Sequence, residues 1–151
     1  MNATATIGSL LGEKGGLVWS VEPSVSVFDA ITKMAEKGVG ALLVMNEGRL
    51  LGIISERDYT RKVILKGYSS KDMRVDKIMT SDVVTATADE TVEGAMRLMT
   101  ERRIRHLPVM ENGQVAGVVS IGDLVKWTIS AHEETIAHLT SYISGGYGVV
   151  G

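Results

Sequence analysis

The chain repeats itself. Shifting the sequence by 65 residues lays positions 18–59 on 83–124 without a gap. Twelve positions are then identical: Val18/Val83, Val27/Val92, Ala30/Ala95, Met34/Met99, Glu36/Glu101, Leu42/Leu107, Val44/Val109, Met45/Met110, Gly48/Gly113, Gly52/Gly117, Ser55/Ser120 and Asp58/Asp123. Solenoids are built from at least three short repeats, so two copies of a longer unit predict two similar lobes instead. At 151 residues, almost the whole chain goes into that pair.

Each copy predicts the same elements. Val18–Val21 and Val83–Ala86 are short strand-like openings, the first ending near Pro23. Val27, Ala30, Ile31, Met34 and Ala35, matched by Val92, Ala95, Met96 and Met99, have the spacing of a helix with one buried stripe. Ser24, Ser26, Asp89 and Thr91 are its candidate N-caps. Ala41–Met45 and Leu107–Met110 read as apolar strands, with Pro108 expected at an edge or where the ladder is already broken. Asn46-Glu47-Gly48 and Glu111-Asn112-Gly113 turn them into Leu50–Ile54 and Val115–Val119. A second helix starts near Glu56 and Ile121. The expected fold is mixed α+β or α/β: two β-α-β-β-α repeats about a pseudo-two-fold axis, packed as one pair, plus a C-terminal helix.

The expected boundaries are an N-terminal segment at 1–17 packing on the pair, repeats at 18–66 and 83–130, a linker at 67–82, and a C-terminal helix and glycine-rich tail at 131–151. Val75, Ile78 and Met79 form an apolar turn suited to packing between lobes, and Ile7, Leu10 and Leu11 do the same before a Gly12–Gly16 loop. Ile129, Ile136, Leu139 and Ile143 share a helix face that folds back on its own lobe or meets another subunit.

Both copies close on the same string, Gly52-Ile53-Ile54-Ser55-Glu56-Arg57-Asp58 and Gly117-Val118-Val119-Ser120-Ile121-Gly122-Asp123. Ser-x-x-Asp at a helix start is a capping box, and capping alone accounts for one copy. A ligand site is the other reading. Free N–H groups after a strand suit an anion, an ionised Asp suits vicinal ribose hydroxyls, and the glycine permits close backbone approach.

This repeat, with Gly-h-h-Ser-x-x-Asp (h, aliphatic) twice and Arg-Ile-Arg-His-Leu-Pro-Val at 103–109, resembles the tandem CBS-domain family, named after cystathionine β-synthase. It is similar to small stand-alone proteins of one CBS pair found in bacteria and plant organelles. The resemblance covers about 5–131. It implies a non-enzymatic regulatory module, an energy sensor in signal transduction, that binds AMP, ADP, ATP, NAD(H) or S-adenosylmethionine in the cleft between repeats. Carried over, Asp58 with Ser55 and Asp123 with Ser120 hold ribose and phosphate. Ser20-Val21 and Thr85-Ala86 frame the base, and no metal is required. It also implies a homodimer acting through a separate effector protein. Alternatives are a structural homodimerisation adaptor or a slow nucleotide-hydrolysing enzyme.

A phosphate needs a cation. Arg103, Arg105 and His106 cluster before a strand; on an extended segment Arg103 and Arg105 share one face and His106 takes the other. The bland alternative is a solvated basic stretch. The resemblance favours Arg105 and His106, and an unperturbed His makes binding pH-sensitive. The first copy has Gly40-Ala41 there, so Arg57 or Arg61 is expected to substitute and the two sites to differ. Net charge of −2 puts this burden on placed residues, not on the whole protein. With that charge and 5% aromatics, a nucleic-acid partner is not expected. No cysteine means no thiolate chemistry. No apolar run reaches the roughly 18 residues of a membrane span. The expected place is the cytoplasm, or an organelle matrix if the plant proteins are its relatives.

Overall fold

The computed structural model describes residues 5–14 and 18–133. Helix α1 (Ile7–Lys14) precedes β1 (Ser20–Val21), α2 (Val27–Lys37), β2 (Ala41–Asn46), β3 (Arg49–Ser55) and α3 (Glu56–Tyr59). A π-turn, Thr60–Ile64, extends α3, and two short 3₁₀ turns, Ser70–Asp72 and Val75–Lys77, follow. The second repeat has β4 (Ala86–Thr87), α4 (Val92–Arg102), β5 (His106–Glu111) and β6 (Gln114–Ser120), then helix α5 over 121–133. The β-α-β-β-α order holds twice. Ile136, Leu139, Ile143 and the glycine-rich tail lie outside the described residues, and Gly12, expected in a loop, is in α1.

Ser26 and Thr91 are the working N-caps. Each hydroxyl accepts from the backbone N–H three residues on, at 3.0 Å, a contact worth about 1 kcal/mol. Asp89 instead accepts from the Thr87 hydroxyl, which holds its carboxyl below the usual carboxylate range. The stripes Val27, Ala30, Met34 and Val92, Ala95, Met99 are buried as their spacing predicts. Both α2 and α4 end in a left-handed residue, Gly38 (φ 66°) and Arg103 (φ 55°). A side chain in that conformation is strained, whereas glycine is not. Arg103→Gly is therefore expected to raise stability by about 0.5–1 kcal/mol in denaturant titration; a loss would show that the arginine side chain makes a compensating contact. Because Arg103 caps a helix, the expected extended alternation with Arg105 does not apply.

The sheets run β1-β2-β3 and β4-β5-β6. In the first, β1 pairs parallel with β2 and β2 antiparallel with β3, Ala41 facing Ser55 and Asn46 facing Arg49. Glu47 (φ 52°) and Gly48 (φ 77°), like Asn112 (φ 53°) and Gly113 (φ 77°), are both left-handed, as a tight two-residue hairpin demands. Pro108 sits in the central strand, not at an edge. Its counterpart Leu43 donates its N–H to Trp19 C=O in the β1 direction, at 3.2 Å. The repeat puts Pro108 at the position of Leu43, whose N–H serves β1 and not β3, so by that correspondence the missing N–H takes no bond from the β6 ladder. β4 accordingly begins at Ala86, one residue later than the repeat predicts.

Among the described residues the chain divides into two units, one of 18–85 with 110–117, the other of 5–14, 86–109 and 118–133. The first unit's core joins Val27, Met34, Leu42, Val44 and Ile54 to Val63, Val75 and Ile78. Val75 and Ile78, expected between lobes, thus complete the first repeat. In the second unit α1 plays the matching part. Val92 N–H donates to Ala5 C=O (3.0 Å) as Val27 N–H does to Met73 C=O (2.7 Å). Ile7 N–H reaches Glu90 C=O (2.8 Å) as Val75 N–H reaches Val25 C=O (2.9 Å). The repeat therefore extends upstream with the shift lengthened to 68, as between Ile7 and Val75, and each leader serves the repeat that does not follow it.

Candidate functional site

Hairpin geometry delivers the serine of each box. The turn at Glu47-Gly48 pairs Asn46 with Arg49, and a one-residue register shift between Val44 and Met45 then moves the pairing. β3 ends at Ser55 opposite Ala41, and Glu56 N–H closes on Gly40 C=O at 3.0 Å. In the second unit Ile121 N–H closes on Arg105 C=O at 2.8 Å. The chain then turns straight into a helix with the serine as cap. Ser55 Oγ accepts from Asp58 N–H (3.2 Å), while Asp58 Oδ2 accepts from Ser55 N–H (2.9 Å) and Ser55 Oγ–H (3.1 Å). Ser120 Oγ accepts from Asp123 N–H (3.1 Å), and Asp123 Oδ2 from Ser120 N–H (2.8 Å). Both capping boxes are fully formed and all four residues are half-buried.

The cations are less symmetric. The Ile121–Arg105 bond anchors Arg105 and His106 at the second box by their backbone; Arg105 is exposed and His106 half-buried. Arg103 lies two residues earlier on the helix cap. In the first unit Arg57 is half-buried and Arg61 exposed, but the cation on Asp58 is Lys62. Its Nζ lies 3.0 Å from Asp58 Oδ1 and donates to Ile78 C=O at 2.8 Å. Lys62 is not among the cations expected from the sequence, although Asp58 and Lys62 have the i, i+4 spacing of a helical ion pair.

Ser20 and Val21 form β1, and Lys33 Nζ donates to the Ser20 carbonyl. Ala86 is buried in β4, while Thr85 lines an open groove of about 450 Å³ with Arg49 and Asp82. No box residue lines that groove. The glycine expected to admit a ligand admits the chain itself. A Cβ on Gly52 would lie 2.6 Å from Met79 Sδ and 2.8 Å from Thr80 O.

Known proteins show the same repeat. The CBS-domain family model matches residues 18–64 and again 75–130. The chain belongs to the CBS-domain family. The mitochondrial CBS domain-containing protein CBSX3 of Arabidopsis thaliana is 41% identical over 154 residues, 95% of this chain and 74% of its own length. The solved CBS domain NE2398 is 48% identical with a TM-score of 0.79, over 82% of this chain and 97% of its own. A more distant CBS domain pair, that of MJ0100 in complex with 5′-methylthioadenosine and S-adenosyl-L-methionine, shares the fold at 22% identity and a TM-score of 0.72, over 82% of this chain and 99% of its own. The CBS pair of this chain is a regulatory module by kinship. Among its described residues no helix is long and apolar enough to cross a membrane, and no cluster of His, Asp and Glu is arranged to hold a metal ion.

Proposed function

We propose that this CBS pair is a sensor whose two Ser-x-x-Asp boxes each bind the ribose of an adenosine-containing ligand (AMP, ADP, ATP or NAD(H)) and that it signals, as a homodimer, to a separate effector protein. The reading needs no catalysis and places the protein in the cytoplasm or an organelle matrix. The observation that carries it is the repetition of one box geometry in two units. Asp58 accepts from Ser55 N–H and Oγ–H at Oδ2 and meets Lys62 at Oδ1, which leaves about one of a carboxylate's roughly four acceptor sites for a ribose hydroxyl. Arg105 beside the second box supplies the positive charge that a phosphate needs, with the His106 ring as a neighbouring hydrogen-bonding group. The ligands of MJ0100 support an adenosine moiety at the level of the fold.

The adaptor reading draws on one feature: both boxes satisfy themselves without a ligand. Calorimetric titration of the full chain with AMP, ATP and NADH separates the two. On the sensor reading Asp123→Ala weakens binding about tenfold or more, equivalent to about 1.4 kcal/mol. No binding at millimolar nucleotide, or unchanged binding by Asp123→Ala, would overturn the ribose assignment. As an adaptor, the protein would answer Asp58→Asn and Asp123→Asn only with a cap-sized loss of about 1 kcal/mol in stability.

A further inference from the structure

We infer that Lys62 is the specificity-determining cation of the first box, selecting ligands that carry a phosphate. This rests on the nucleotide reading above and refines it. A carboxylate that holds a ribose stands close to the phosphate of the same nucleotide and repels it unless a cation intervenes. The second box has Arg105 and His106 at its edge, and the first has Gly40 and Ala41 in their place. Conversely, the residue 65 positions after Lys62 is Trp127, which has no charge. Each repeat thus has a cation source at its box, but at a different position.

Lys62 is held there. Its ammonium group is 3.0 Å from Asp58 Oδ1 and 2.8 Å from the Ile78 carbonyl oxygen, which occupies two of its three N–H donors. The third donor is left over, and the side chain is 42% exposed, so a solvent-borne phosphate can reach it. The Ile78 carbonyl is itself fixed, because Ile78 is buried in the first repeat's core. A cation pinned between a carboxylate and a buried segment's carbonyl has already given up much of the rotamer freedom that binding would otherwise cost. Asp58 with Lys62 is close to neutral as a pair. The ion pair therefore does two things for one ligand: it cancels the repulsion from Asp58 and offers a hydrogen bond to a phosphate oxygen.

The test uses the full chain with Asp123→Ala, so that the first box dominates, and titrates adenosine, AMP and ATP calorimetrically with and without Lys62→Met. AMP and ATP are expected to weaken about tenfold, adenosine by less than about twofold, and Lys62→Arg to recover most of the loss. The salt dependence of AMP binding should also flatten in Lys62→Met. Equal losses for adenosine and AMP would reduce Lys62 to a structural ion pair and overturn the inference, as would no loss at all. If Asp123→Ala binds nothing while the unsubstituted chain binds nucleotide, the first box is not a site. If the unsubstituted chain binds none of the three, the adenosine reading itself fails and takes this one with it.

Discussion

Gly52→Ala is expected to cost about 1–3 kcal/mol of stability, and Gly52→Val more. The middle of β3 is crossed by the chain leaving the first repeat. Thr80 and Ile53 exchange both backbone hydrogen bonds, N–H to O at 2.9 and 3.0 Å, so the Thr80 carbonyl cannot retreat without breaking them. A new Cβ at position 52 would sit 2.8 Å from that oxygen and 2.6 Å from Met79 Sδ. The thioether can move to another rotamer, but the carbonyl cannot. Gly12→Ala is the control, since nothing lies within 4 Å of its Cβ position and α1 gains a better helix former. Urea denaturation of the two variants should therefore shift in opposite directions. A neutral Gly52→Ala would mean that the Ile53–Thr80 pairing yields readily in solution.

Ile7→Ala is expected to cost more, about 2–5 kcal/mol. Ile7 is fully buried, and Leu10 and Leu11 are 5% and 8% exposed. Its backbone is tied to Glu90, and that of neighbouring Ala5 to Val92, so the leader belongs to the second repeat's helix start. Hydrogen exchange gives the specific readout. Protection should fall at the Ile7, Gly8 and Val92 amides, which these contacts hold, more than at Val27, whose amide rests on Met73. Uniform loss at Val27 and Val92 would show instead that the leader contributes only to global stability. Val75→Ala is the mirror-image experiment, with the larger effect expected at Val27.

Much of this was legible in the chain. The 65-residue shift, the two Met- and Ala-rich stripes and the paired hairpin turns all reflect short-range rules: a period of about 3.6 for helix and left-handed residues for a tight turn. Ser-x-x-Asp was legible for the same reason, since a capping box is complete within four residues. Expectations failed where packing or a neighbouring element decided the outcome, as for Val75 and Ile78, which complete the first repeat's core. Gly52, expected to admit a ligand, admits Met79 and Thr80 instead. Arg103 and Arg105 are expected to share one face of an extended segment, but Arg103 is still turning out of α4.

The sequence by itself determined the duplicated β-α-β-β-α order, the core stripes and the local geometry of both Ser-x-x-Asp boxes, because each depends on residues a few positions apart. Only the tertiary structure decided which repeat each leader completes. The leaders share an apolar pattern, Ile7, Leu10 and Leu11 against Val75, Ile78 and Met79, but no identity from Ala5/Met73 to Leu11/Met79, and nothing in that pattern says which repeat each one packs on. Only the structure, likewise, seated Lys62 between Asp58 and Ile78. The spacing to Asp58 was in the chain, but the carbonyl that fixes the ammonium comes from a residue 16 positions away, brought there by the burial of Ile78.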